Sequence, residues 1–184
     1  MLNPMKLNWD IDTTWTLFLD RDGVINERVF DGYVLSIKDF IFKEGVLENA
    51  CLLFGKFAHV FIVTNQQCVG KGLISKASLD DIHDWMSEQF LKEKAHIDEV
   101  FVATELDNKD SRRRKPNLEM GLEAKMKFPN VDFEKSIMIG DTDSDISFGQ
   151  NLGMKTVLIE SEQNCQSSPD LKLDSLADLN KILS

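Results

Sequence analysis

Short apolar runs alternate with amphipathic stretches along the whole chain. Residues 15–19, 60–63, 100–103, 137–139 and 156–159 are apolar, of strand length, and bounded by polar turns. Between them lie helical patterns. Residues 46–57 place Val46, Leu47, Ala50, Leu53 and Phe54 on one face, and residues 75–94 repeat Leu79, Ile82, Met86 and Phe90 at three- and four-residue steps behind a capping Ser75. Further helices are predicted over about 117–128, from near Asp143, and from about Ser175. Strands alternating with helices predict an α/β protein, a central and mainly parallel sheet flanked by helices. Residues 25–45 carry aromatics without a clean period, and residues 104–116 form a polar, basic loop closed by Pro116. Neither an internal repeat nor a low-complexity tract interrupts the pattern.

Length and charge narrow the possibilities. A chain of 184 residues fits one domain, residues 1–184, and its 42% apolar and 28% charged residues exclude collagen-like, coiled-coil and disordered classes. No apolar run approaches the roughly 20 residues that span a bilayer, so no membrane association is expected. Residues 1–10 lack the layout of a signal peptide, which makes the cytoplasm the expected compartment. The formal charge of −10 argues against a nucleic-acid partner while leaving room for a small anionic ligand. Cys51, Cys68 and Cys165 are scattered, without metal-ligand spacing, and read as reduced thiols, mostly packing residues. His59, His83 and His96 are ungrouped and read as surface or helix residues.

Four polar clusters each follow a predicted strand, and ligands of open parallel sheets bind beyond the strands' carboxyl ends. In the first, Asp20 and Asp22 emerge from the first strand and Gly23 turns the chain; two such acids suit a divalent cation or divided proton-transfer roles, although Asp-Gly is also an ordinary turn. In the second, Thr64 and Asn65 precede Gln66, Gln67 and a glycine-rich turn, a set of donors for phosphate oxygens or simply a hydrogen-bonded turn. In the third, Arg112, Arg113, Arg114 and Lys115 run into Pro116; the first two read as solvated, whereas Lys115 is held extended by the proline and can face an anionic pocket. In the fourth, Asp141, Asp143 and Asp145 follow a buried strand; Asp143 reads as a helix cap and Asp141 as the acid placed to meet Asp20 and Asp22.

Taken together and in this order, Asp20-x-Asp22-Gly-Val, Thr64-Asn65, Lys115-Pro116 and Gly140-Asp141-x-x-x-Asp145 resemble the four motifs of the haloacid dehalogenase-like (HAD) phosphohydrolases, over residues 17–159. Residues 20–26, 31–34, 64–72 and 114–116 look like the heptose bisphosphate phosphatase and histidinol-phosphatase subgroup. That resemblance implies a Rossmann-like three-layer sandwich. Thr64 follows Asp20 by 44 residues and Lys115 follows Thr64 by 51, which leaves no room for a large cap domain. Two features depart from the subgroup. Residues 104–113 contain no Cys or His, so no structural zinc is expected, and Thr142 stands where a lysine is frequent.

The resemblance implies a Mg²⁺-dependent phosphatase acting on a small phosphorylated metabolite, a heptose bisphosphate first. Histidinol phosphate, a nucleic-acid 3′-phosphate and a non-catalytic phosphate-binding module are the alternatives. In this reading Asp20 is the nucleophile and Asp22 the proton donor and acceptor. Asp20, the Asp22 carbonyl and Asp141 hold Mg²⁺, with Asp145 behind them. Thr64, Asn65 and Lys115 hold the transferred phosphoryl group, Arg114 reaches a distal phosphate or hydroxyl, and Asp31, Gly32 and Tyr33 form part of the leaving-group wall. An ionised Asp20 beside a protonatable Asp22 is the expected division, and a monomer is the expected state.

Overall fold

The computed structural model describes residues 9–108, 110–160 and 165–183. The signal-peptide reading therefore falls mostly on residues 1–8, outside the described residues. Six strands form one sheet: β1 (Thr16–Leu19), β2 (His59–Asn65), β3 (Glu99–Ala103), β4 (Ser136–Gly140), β5 (Lys155–Ile159) and β6 (Leu171–Leu173). Their order is β3-β2-β1-β4-β5-β6, and every pair is parallel. β1 and β4 are buried at every position, because a parallel sheet covered on both faces needs apolar side chains on both.

The strand alternation sorts these side chains into two layers. Leu17 and Leu19 point to the face covered by α1 (Val46–Phe54), α2 (Lys76–Lys92) and α5 (Leu176–Ile182), through residues such as Leu53, Met86, Phe90 and Leu179. Phe18 points to the opposite face, where Met120 and Ala124 of α3 (Glu119–Lys127) and Phe148 of α4 (Asp143–Leu152) complete the second core. Phe18 packs edge-on against Phe61 with ring centroids 5.2 Å apart. This is the helix-flanked parallel sheet that the periodicity predicted and the three-layer sandwich that the resemblance implied.

Two local differences have physical causes. The strand Leu171–Leu173 escaped the sequence reading because it offers only a Leu-Lys-Leu alternation, too short to stand out. α4 is capped by Thr142, not by Asp143. The Asp145 carboxylate accepts the Thr142 backbone N–H at 3.1 Å and its hydroxyl at 2.5 Å, forming a capping box. Asp143 instead accepts the backbone N–H groups of Gln166 (2.9 Å) and Ser167 (2.7 Å), fastening the chain on its way to β6.

The aperiodic segment after β1 is a flap. Asn26 makes a parallel bridge with Asp22 and an antiparallel one with Phe42, and a single 3-10 turn spans Ile37–Asp39. The connection from β1 to β2 thus carries this flap and α1, and that from β2 to β3 carries α2, with no inserted cap domain. Among the described residues, no helix is long and apolar enough to cross a membrane.

Candidate active site

The strand order reverses between β1 and β4, so the loops leaving those strands diverge and open a crevice at their carboxyl ends. Asp20 is the first residue beyond β1, its N–H donating to the Ile139 carbonyl at 2.8 Å. Asp141 is the first beyond β4. The two loops approach so closely that a Cβ on Gly23, whose φ is +89°, would lie 2.0 Å from Asp141 Oδ2. A Cβ on Gly140 would meet that of Asp145 at 2.0 Å. Glycine at both positions is what lets three carboxylates gather. Asp20, Asp141 and Asp145 are buried, and an oxygen from each lies within 4.8 Å of the others.

Two cations balance this cluster. Lys115 is fully buried and extends its ammonium to Asp20 Oδ1 (2.9 Å), Asp145 Oδ1 (2.6 Å) and the Val63 carbonyl (2.5 Å). Its backbone is clamped by Asn65, whose Oδ1 accepts the Lys115 N–H at 2.9 Å and whose Nδ2 donates to the Lys115 carbonyl at 3.2 Å. The second cation, Arg28, was not anticipated. Its Nε and Nη2 donate to the two Asp141 oxygens at 2.8 and 2.6 Å, Nη2 also donates to the Asp22 carbonyl at 2.9 Å, and Asp20 Oδ2 lies 3.9 Å away. Asp141 is 113 residues from Arg28, and no sequence signal within an aperiodic segment links them.

The Asp22 side chain belongs to a separate network. It accepts from Arg21 Nη2 (2.9 Å), Asn26 Nδ2 (2.9 Å) and Gln66 Nε2 (2.6 Å). Arg21 is completely buried and also meets His83 Nε2 and Gln66 Oε1, each at 3.1 Å. His83 is therefore a helix residue, as expected, but it is buried on the inner face of α2 and does not lie at the surface. Burial, and secondarily the Arg21 charge, push its pKa down to about 3, so it stands neutral against the guanidinium.

The two catalytic candidates titrate in opposite directions. Burial pushes Asp20 up to about 7, with Asp145, Asp141 and Asp22 adding to the shift and Lys115 opposing it. Burial would also raise Asp22, but the Arg21 charge and the hydrogen bonds from Asn26, Arg21 and Gln66 outweigh it and hold the carboxyl below its ordinary value. Without a metal, then, burial favours a proton on Asp20 and the donor network favours ionised Asp22. Burial likewise raises Asp141 against the opposing Arg28, while Lys115 is raised because Asp145 and Asp20 overcome its desolvation.

The cluster opens into a cavity of about 160 Å³. Asp20, Asp22, Arg28, Asn65, Arg114 and Lys115 border it, together with Gly32, Tyr33, Gln67, Thr142 and Ser144. Thr64 is buried behind this lining, its hydroxyl accepting from Gln66 Nε2 at 2.9 Å. Asp31 is exposed, has a φ of +56° and does not border the cavity, so the wall assigned to residues 31–33 is formed here by Gly32 and Tyr33. Tyr33 is steadied by Lys71, which donates to its hydroxyl at 2.7 Å. Arg114 lies 3.5 Å from the exposed Asp107.

Glu105 organises the basic loop that carries Arg114 and Lys115. Its Oε2 accepts Ser111 Oγ (2.6 Å) and the N–H groups of Arg112 (2.8 Å) and Arg113 (3.1 Å), and the Ser111 bond above all lowers its pKa. Arg113 is not simply solvated, since it pairs with Glu123 and donates to the Val102 carbonyl at 3.2 Å.

The oxygen set suits a hard divalent cation. Asp20 Oδ2, Asp141 Oδ1 and the Asp22 carbonyl all face one point, marked by Arg28 Nη2, and oxygen-only donors with an open cavity beside them match magnesium's preference.

Comparison with known proteins agrees with this geometry. A HAD-hydrolase-like family model matches residues 112–179. The D-glycero-alpha-D-manno-heptose-1,7-bisphosphate 7-phosphatase of Burkholderia mallei is 39% identical over 150 residues, covering 78% of this chain and 78% of that protein. The corresponding enzyme of Campylobacter jejuni is 35% identical, covering 82% and 84%, and a beta-anomer 7-phosphatase of Helicobacter pylori is 31% identical, covering 81% and 84%. In fold, the chain matches the D,D-heptose 1,7-bisphosphate phosphatase of B. bronchiseptica, complexed with magnesium and phosphate, with a TM-score of 0.83 at 24% identity over 92% of this chain and 97% of that one. With its relatives, its fold and its strand-end acids in agreement, this chain belongs to the HAD phosphatases, in the family that includes the heptose-1,7-bisphosphate 7-phosphatases.

Proposed function

We propose that this chain removes the 7-phosphate of a D-glycero-D-manno-heptose 1,7-bisphosphate in a Mg²⁺-dependent reaction through an aspartyl-phosphate at Asp20. The observation that carries this reading is the convergence of Asp20, the Asp22 carbonyl, Asp141 and Lys115 at one end of the sheet, beside a cavity that two arginines border. The names of the relatives at 31–39% identity supply the sugar.

Asp20, Asp141 and the Asp22 carbonyl would hold Mg²⁺, which supplies charge to offset the meeting of an anionic nucleophile with a phosphoryl dianion and favours ionised Asp20. An Asp20 oxygen attacks phosphorus, the P–O bond to the sugar breaks, and the alkoxide leaves with a proton from Asp22. Water then attacks phosphorus, gives its proton back to Asp22, and restores the Asp20 carboxylate. For the first of these transfers Asp22 must loosen from Arg21 and Gln66 and take up a proton, since that network favours its ionised form. Lys115 stabilises the phosphoryl oxygens from within the cluster. The Asn65 side chain acts through Lys115, by fixing its backbone, and Thr64 through Gln66. Arg114 takes the second phosphate or a sugar hydroxyl, and Gly32 and Tyr33 flank the leaving group.

The same proposal covers residues 1–184 as one monomeric, cytoplasmic domain, with neither nucleic acid nor membrane as partner. It needs no structural zinc, because Glu105 supplies the hydrogen bonds that order the basic loop. Phosphate release with Mg²⁺ over both heptose bisphosphate anomers, histidinol phosphate and a 3′-phosphorylated oligonucleotide tests it. The highest kcat/KM is expected for a heptose bisphosphate. A higher value for another member reassigns the substrate, and no turnover on any member overturns the reading.

A further inference from the structure

The three oxygens that face one point do not face an empty corner of the protein. Arg28 Nη2 stands there, 2.6 Å from Asp141 Oδ1, 2.9 Å from the Asp22 carbonyl and 3.9 Å from Asp20 Oδ2. The guanidinium plane completes a fork on Asp141 through Nε at 2.8 Å, the geometry in which an arginine binds a carboxylate most firmly. Around it are four carboxylates, of Asp20, Asp22, Asp141 and Asp145, against two other nearby cations, Arg21 and Lys115.

We infer that Arg28 is a built-in competitor for the metal: its guanidinium and Mg²⁺ bind the same oxygens, so each Mg²⁺ that enters must displace it. This rests on the magnesium reading above. Two cations cannot share one set of donors, because the metal needs the Asp141 oxygen and the Asp22 carbonyl within about 2.1 Å, and both now accept from Nη2. The backbone of the flap need not move for the exchange. Glu27 N–H is anchored to the Ile41 carbonyl at 2.8 Å and Asn26 is bridged to Phe42, whereas the Arg28 side chain is long, 23% exposed, and borders the open cavity. Rotation of that side chain releases the oxygens, and the freed guanidinium remains at the cavity's edge. The consequence is a centre whose carboxylates are charge-compensated before the metal arrives and whose magnesium affinity is set below what the oxygens alone would give.

Calorimetric titration of MgCl₂ into chelator-treated, full-length protein without substrate tests this directly. Arg28→Gln should bind Mg²⁺ roughly tenfold more tightly or better, the equivalent of losing one charge-assisted hydrogen bond to the competitor. The same variant should melt at a lower temperature than wild type when stripped of metal, and Arg28→Lys should fall between them on both measures. Unchanged or weaker Mg²⁺ affinity in Arg28→Gln overturns the inference. Should Arg28→Gln fail to fold, a crystal structure of the wild-type protein with Mg²⁺ decides: the guanidinium has left Asp141, or it keeps both bonds and the inference is wrong. Magnesium binding that follows this pattern without turnover on any substrate overturns the phosphatase reading alone. A wild-type protein and a variant that both fail to bind Mg²⁺ overturn the present inference whatever their turnover.

Discussion

Asp20 and Asp22 leave the same strand two residues apart, yet their side chains enter different worlds. Asp20 lies in a crowd of buried carboxylates with Lys115 as its close counter-ion, and its pKa rises to about 7. Asp22 turns into a network of Arg21, Asn26 and Gln66 in which its ionised form is fully solvated by donors, and its pKa falls. Burial acts on both in the same sense. What separates them is whether the neighbours are acceptors or donors. The first region crowds acids at the point where the proposed reaction attacks phosphorus; the second locks the turn beside it.

Substitutions that delete one cation from either region measure the difference. The largest effect is expected for Lys115→Met, which strands Asp20 and Asp145 in the interior. It should cost about 3–5 kcal/mol in urea unfolding, as removal of one partner from a buried ion pair does, and leave no measurable phosphate release. Arg21→Met should cost less, about 2–3 kcal/mol, because the Asp22 side chain is 21% exposed and keeps its bonds from Asn26 and Gln66. Equal losses in the two variants would erase the distinction between the regions.

The strands β1 to β5 and the four strand-end clusters were legible in the sequence because both are local. A buried parallel strand is a continuous apolar run, and a catalytic turn keeps its acids within a few residues. The features that escaped are defined by distant partners. Arg28 finds Asp141 across 113 residues, and Arg21 finds His83 across 62. The Asn65 amide, expected to hold the phosphoryl group, clamps the Lys115 backbone 50 residues away. Asp143, expected to cap α4, holds the Gln166 and Ser167 N–H groups instead, because a partner more than 20 residues away, which spacing within the motif does not reveal, claims its carboxylate.

A smaller effect is expected from pH in the metal-free protein. The folded chain keeps a proton on Asp20 that the unfolded chain releases above its ordinary value of 3.8. That contribution to stability is complete below 3.8 and is lost as pH climbs through about 7. Asp22 acts in the opposite sense, stabilising above its unfolded pKa and ceasing to do so as the solution becomes more acidic. Unfolding free energies of wild type between about pH 4.5 and 8 should therefore decline relative to those of Asp20→Asn. Parallel curves would show that Asp20 is not the buried proton holder.

The most direct test of the central claim is to quench the enzyme in acid during turnover and locate the phosphoryl group by mass spectrometry of its peptides. The account predicts a phosphorylated peptide containing Asp20, absent from Asp20→Asn and from wild type denied Mg²⁺. A phosphoryl group found on any other residue, or Asp20→Asn turning over at the wild-type rate, would contradict it.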